Sequence, residues 1–210
     1  MKENEQERLK HMLEIEESLY EKGYKLVCGV DEAGRGPLCG PVVAAAVILK
    51  PGQMIDGVND SKKISEKKRE KLYEDIMANA LAVGVGMSDV DVIEDVNILN
   101  ATKLAMKQAI NNLKVQPEYV LIDGNQMIDI TIDAETVVSG DAKSESIAAA
   151  SIIAKVTRDR MLLEWDKEYP EYGFAKHKGY GTKAHIEAIG KYGLTPLHRK
   201  SFCTKFVKGE

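Results

Sequence analysis

Apolar residues recur every three or four positions from about Asn4 to Lys22, where Leu9, Met12, Leu13, Ile15, Leu19 and Tyr20 share one stripe. That spacing predicts an outer helix, stopped by Gly23 and carrying no chemistry of its own. The pattern then changes. Lys25 to Asp31 reads as a buried strand, and Pro41 to Leu49 as a second, ended by Pro51-Gly52. Ala44-Ala45-Ala46 within the second predicts close packing by helices. After a loop at Asp60-Ser61-Lys62-Lys63, Ser65 is the expected N-cap of a helix through about Asn79, with Leu72, Ile76 and Met77 inward. Leu81 to Met87 reads as strand three, Ser88 to Asp95 as an acidic turn, and Asn97 to Leu113 as a helix carrying Leu99, Leu104, Met106 and Ile110. Tyr119 to Asp123 is a buried strand and Glu135 to Ser139 the last short one. From about Ser144 to Glu168 runs a long helix, ended by Tyr169-Pro170, whose small-sided first half, Ile147 to Ala154, predicts a central place in the core. A loop from Gly173 to Gly181 precedes a helix from Thr182 to about Tyr192. The basic tail from Thr195 to Glu210 is expected to be mobile at its end. These elements predict one α/β domain with a mixed sheet.

Candidate chemistry gathers where strands end. Asp31-Glu32, Asp123 and Asp141 each follow an apolar run, with Gly34, Gly124 or Gly140 close by. Ionised carboxylates leave water at a cost of several kcal/mol each unless compensated. A bound divalent cation is a direct compensation. Neighbouring side chains in a regular strand face opposite ways, so Asp31 and Glu32 are expected to share a site through a strand end or bulge at Ala33-Gly34. In open α/β sheets sites lie at strand ends. Oxygen-only ligation selects Mg²⁺ or Mn²⁺. Two such ions about 4 Å apart suit in-line phosphodiester hydrolysis.

Composition narrows the class. The 210 residues are 44% hydrophobic and 30% charged, enough for one sizeable core. No run suits a bilayer, and the polar start lacks an apolar signal region, so a cytoplasmic location without membrane attachment is expected. Cys28, Cys39 and Cys203 lack metal-ligand spacing and read as small core residues in a reducing compartment. A net charge of −4 argues against a protein coated in basic charge for nucleic acid. The positive charge is nevertheless clustered. One group is Lys62-Lys63, Lys67-Lys68-Arg69 and Lys71; a second is Lys176, His177, Lys178 and Lys183; a third is His198, Arg199, Lys200, Lys205 and Lys208. Around acidic metal ligands these would make a phosphate-binding rim.

Gly29-Val30-Asp31-Glu32-Ala33-Gly34-Arg35-Gly36-Pro37, Asp60-Ser61-Lys62-Lys63, Asp123-Gly124-Asn125, Gly140-Asp141-Ala142-Lys143-Ser144 and His177-Lys178-Gly179-Tyr180-Gly181-Thr182, in that order, resemble bacterial ribonuclease HII from about Lys25 to Phe202. The resemblance implies a ribonuclease H-like fold: a mixed central sheet flanked by helices, with an extra N-terminal helix (1–24), a catalytic domain (25–194) and a helical C-terminal segment (195–210). It implies two divalent metals, Mn²⁺ or Mg²⁺, on Asp31, Glu32, Asp123 and Asp141 as catalytic carboxylates. It implies cleavage 5′ to a ribonucleotide in RNA–DNA hybrids or in duplex DNA, leaving 3′-hydroxyl and 5′-phosphate ends, with no required protein partner. The backbone of Gly34, Arg35 and Gly36, with Tyr180, would sense the 2′-hydroxyl, the group that separates RNA from DNA. Lys62 would contact phosphate. The leader is too short for the N-terminal domain of the related HIII type.

Plainer readings stand beside these. Tyr180 in a Lys/Gly loop fits a surface aromatic, Lys62 and Lys63 fit solvated lysines, and Lys143 simple charge balance. His198 reads as a surface or tail residue, His11, His177 and His185 as structural, and Trp165 as core. Gly34-X-Gly36 with Asp56 about 20 residues on nearly matches a dinucleotide fingerprint. Cys39 replaces its third glycine, Pro37 sits in its turn, and the adjacent acids repel pyrophosphate. A metal-dependent nuclease acting on another nucleic-acid structure is the remaining alternative.

Overall fold

The computed structural model describes residues 3–207. Strands β1 (Val27–Ala33), β2 (Val42–Ile48) and β3 (Ala82–Ser88) form an antiparallel meander. Strand β4 (Tyr119–Asp123) lies parallel to β1, and β5 (Asp133–Val137) parallel to β4, so the mixed sheet runs β3-β2-β1-β4-β5. β2 is apolar on both faces because both are covered. Val42, Ala44, Ala46 and Ile48 join one core layer, Ala45 and Val47 the other.

Helices α1 (Glu3–Glu21), α2 (Glu66–Asn79) and α4 (Glu145–Glu168) lie over one face and α3 (Val90–Asn111) over the other. The small-sided half of α4 is buried from Ile147 to Ala154, as its composition requires. It presses so closely on β1 that a Cβ on Gly29 would meet the backbone of Ser146 and Ile147. Gly84 and Gly86 give α3 the same close approach to β3. Short helices α5 (Phe174–His177), α6 (Lys183–Tyr192) and α7 (Lys200–Cys203) close the far end around Leu38, Leu162, Tyr172, Phe174 and Ile189. Trp165 packs at the edge of that cluster, and all three cysteines are buried and unpaired. No helix of the described residues is long and apolar enough to cross a membrane.

Several expectations needed correction. Ser88–Asp95 is not a turn: Asp89 Oδ1 accepts from the Val92 N–H (3.0 Å) and starts α3 at Val90. The helix is broken at Asn97 (φ 67°), whose side chain accepts from Leu99 and Asn100 N–H and restarts it. Ser65 precedes α2 without a side-chain cap bond. Met77 and Leu104 face solvent, since Leu72 and Ile76 in α2, and Ala101, Ala105 and Ala109 in α3, fill the inward positions. The loop Gly173–Gly181 contains α5. β5 ends at Val137, and Ser139 takes a left-handed conformation that turns the chain toward Gly140. Lys208 and the expected mobile end lie outside the described residues.

Candidate active site

The β1–β4 ladder ends at Val30↔Ile122, whereas β1 stays paired with β2 as far as Ala33↔Val43. Asp31 and Glu32 therefore lie on an open edge of β1, and Asp123, the last residue of β4, stands one position past the last β1–β4 rung. β1 ends at Ala33, as expected, and its register up to that end is regular, without a bulge. The two acids face opposite ways and meet around that open edge. Asp31 is 5% exposed on the α4 side, and its Oδ1 accepts from the Glu32 N–H at 2.7 Å, while the Ser151 hydroxyl of α4 bonds Ser61 Oγ at 2.9 Å. Glu32 lines a small cleft with Arg35, Thr102, Met106, Asp123 and Gly124.

Asp123 Oδ1 accepts from the Gly140 N–H (2.7 Å), which ties the end of β4 to the 3-10 turn Gly140–Ala142 carrying Asp141. Gly140 suits this spot, since a Cβ would come within 2.6 Å of Ile147 Cδ1 and 3.1 Å of Asp123 Oδ1. Ser144 then caps α4, its Oγ accepting from the Ile147 N–H.

Burial, then Glu32 and Asp123, push the Asp31 carboxyl well above the usual range. Glu32 is raised by burial and by Asp123, with Arg35 opposing. Asp141 is raised by burial, Asp60 and Asp123, with Lys62 opposing. Burial works against the Lys62 ammonium, yet Asp60, Asp31, Asp141 and Glu32 together raise its pKa. No three His, Cys, Asp or Glu side chains among the described residues yet close into a coordination geometry. The donor set is nonetheless hard oxygen, and its members repel one another. A divalent cation relieves that repulsion, so the residues fit such an ion.

The Gly34-Arg35-Gly36 turn flanks the acids. Gly34 has φ +98°, and Arg35 Nη1 lies 3.4 Å from Glu32 Oε1. Tyr180, half exposed, stands over the turn: a Cβ on Gly36 would be 3.7 Å from its ring. The Leu38 N–H donates to the Gly179 carbonyl (2.8 Å), joining the two loops. The structure thus groups the four acids and Lys62 electrostatically, and sets Tyr180 against the turn.

The basic rim is smaller than expected. Arg69 turns in to the carbonyls of Ser61 and Ile64, Lys178 to that of Ala175. His198 is buried at 1% exposure, not a surface residue, with its Nε2 3.1 Å from His185 Nε2. Arg199 is wholly buried. Sequence reasoning passed over Ser151, Lys155 and Arg158. Their spacing in α4 puts all three on one helical face, the only available signal.

A family model described as Ribonuclease HII matches residues 28–205. The chain belongs to the ribonuclease HII family. Ribonuclease HII of Acetivibrio thermocellus is 58% identical over 205 residues, covering 98% of this chain and 80% of its own. The structure of ribonuclease H2 from Pyrococcus horikoshii matches with a TM-score of 0.70 at 28% identity, covering 86% of this chain and 96% of that one. RNase HII of Archaeoglobus fulgidus, solved as a complex with PCNA, matches with a TM-score of 0.69 at 26% identity, over 83% and 93%. As a ribonuclease HII family member the protein is a metal-dependent endoribonuclease, acting on RNA–DNA hybrids and on ribonucleotides within DNA. The α/β mixed sheet expected of a ribonuclease H-like fold is the one observed.

Proposed function

We propose that Asp31, Glu32, Asp123 and Asp141 are the catalytic carboxylates of a two-metal site that cleaves the phosphodiester 5′ to a ribonucleotide, leaving 3′-hydroxyl and 5′-phosphate ends. The observation that carries this reading is the buried Asp31 carboxyl, held in the repulsive field of Glu32 and Asp123 just past the last rung of the β1–β4 ladder. Mg²⁺ or Mn²⁺, when bound, would supply an activated water and stabilise the leaving oxygen.

The chain's own groups do the rest. β1 and β4 hold three acids on rigid backbone, and the Gly140 N–H orients Asp123. Lys62, among the acids, offers a cation to a phosphate. The main chain at Gly34, Arg35 and Gly36 and the Tyr180 ring receive the sugar, where a 2′-hydroxyl adds a hydrogen bond that DNA lacks. Nucleic acid is the only macromolecule the reaction needs. A sliding clamp, such as the PCNA named for the Archaeoglobus protein, would serve recruitment. Titrating Mn²⁺ by calorimetry tests the assignment. The intact protein should bind it, and Asp31→Asn or Asp123→Asn should weaken binding at least tenfold; unchanged affinity in both would refute it.

A further inference from the structure

Two guanidinium groups lie buried beneath the Gly34-Arg35-Gly36 turn, and among the described residues neither forms an ion pair. Arg158 of α4 donates from Nε to Pro41 O (3.1 Å), from Nη1 to Lys178 O (2.9 Å) and from Nη2 to Cys39 O (2.9 Å). Arg199 donates from Nε to Gly40 O (2.9 Å), from Nη1 to Arg35 O and Pro37 O (both 2.9 Å), and from Nη2 to Gly34 O (2.6 Å) and Gly40 O (2.7 Å). Asp159, beside Arg158 in the chain, pairs with Lys155 and Arg69 instead.

Two buried like charges with no carboxylate partner are costly, and well-packed apolar side chains would hold a loop more cheaply. The arginines do something apolar groups cannot. A trans peptide places its C=O and N–H on opposite sides. The Gly34 and Arg35 carbonyls both turn inward to Arg199. The N–H groups of those same peptide units, belonging to Arg35 and Gly36, therefore turn outward beside Tyr180. Neither donates to a protein acceptor among the described residues. Successive outward amides form a concavity for anions and hydroxyls. The buried cations behind it add positive potential where the neighbouring carboxylates would repel nucleic acid.

We propose that Arg199, seconded by Arg158, is the positioning residue for ribonucleotide selectivity, aiming the Arg35 and Gly36 amides at the 2′-hydroxyl and its adjacent phosphate. This rests on the reading of that turn and Tyr180 as the 2′-hydroxyl sensor. The test is the ratio of dissociation constants for an all-DNA duplex and the same duplex carrying one ribonucleotide, measured with Ca²⁺ in place of the catalytic ion.

Arg199→Lys keeps the charge and loses the fork. Its selectivity ratio should fall roughly tenfold, the factor carried by about 1.4 kcal/mol of lost hydrogen bonding, with all-DNA affinity within about twofold of wild type. Arg158→Lys should lower the ratio less, by about threefold. Equal loss of both affinities, or an unchanged ratio, would overturn the proposal. Should Arg199→Lys fail to fold, Arg158→Lys and the wild-type amide resonances decide. The Arg35 and Gly36 N–H signals must move with the ribonucleotide duplex more than with DNA, and equal movement refutes the idea. If Tyr180→Ala lowers the ratio and the arginine variants do not, only the positioning role falls. A wild-type ratio near one sinks the sensor reading as well.

Discussion

Replacing Gly29 by alanine puts a methyl group between the central strand and the central helix. That carbon would sit 2.6 Å from the Ser146 carbonyl oxygen and overlap Ser146 C and Ile147 N, all backbone atoms of α4. β1 cannot retreat, because Gly29 is paired with Val47 on one side and Leu121 on the other. Relief to ordinary contact parts α4 from β1 by roughly 1 Å in a close-packed interior. Overpacking costs about 1–3 kcal/mol, and with no flexible side chain to yield we expect about 3. For a chain of this size that lowers Tm by about 6–12 °C. Asp31 lies two residues on and Ser151 faces it from α4, so cleavage should fall about 10²-fold even where the variant is folded. Denaturant unfolding and a cleavage assay on the same preparation check both. Gly190→Ala in α6, where nothing lies within 4 Å of the added carbon, should instead stabilise by about 0.5–1 kcal/mol. A Gly29→Ala protein within about 1 kcal/mol of wild type and fully active would refute the claim that this contact spaces the site.

Asp31→Asn should abolish cleavage while leaving the metal-free fold as stable or about 1–3 kcal/mol more stable, since one of several repelling buried carboxylates is gone; thermal unfolding in chelator beside a cleavage assay reads both. Burial above all pushes the Glu145 carboxyl up from its ordinary 4.5 to about 8. Folding thus takes up a proton between those values, and stability is lost as pH rises from about 4.5 to 8. Glu145→Gln keeps the acceptor for the Ile55 N–H and should flatten that slope, gaining a few kcal/mol at pH 8; an unchanged pH profile of unfolding would contradict it. Tyr180→Ala should lose rate mainly on single-ribonucleotide substrates, with Mn²⁺ affinity retained by calorimetry; loss of metal affinity would show the residue is misplaced.

The strands and the long helix were legible because their signals are local. β1, β2 and β4 are apolar runs, and α4 announces itself by small side chains and the Ser144 cap. The acids were legible for the same reason, since each ends such a run. What remained hidden depends on tertiary packing. How Asp31 and Glu32 come together is set by the β1–β4 ladder stopping at Val30↔Ile122, which no periodicity reports. His198 and Arg199 look like a basic tail, yet the turn carbonyls of Gly34, Arg35, Pro37 and Gly40 draw Arg199 inside. Met77 and Leu104 look inward by type, but smaller or better-placed neighbours already fill the interface. The helical start at Val90 was masked by the acidic residues that favour its N-terminus.

The most direct measurement is cleavage of a DNA duplex carrying one ribonucleotide, with Mg²⁺ or Mn²⁺, with chelator, and beside an all-DNA control. Metal-dependent cutting 5′ to the ribonucleotide, absent from the control and from the chelated reaction, is the predicted result. Equal cutting of both duplexes, or none by folded protein supplied with metal, would contradict the account.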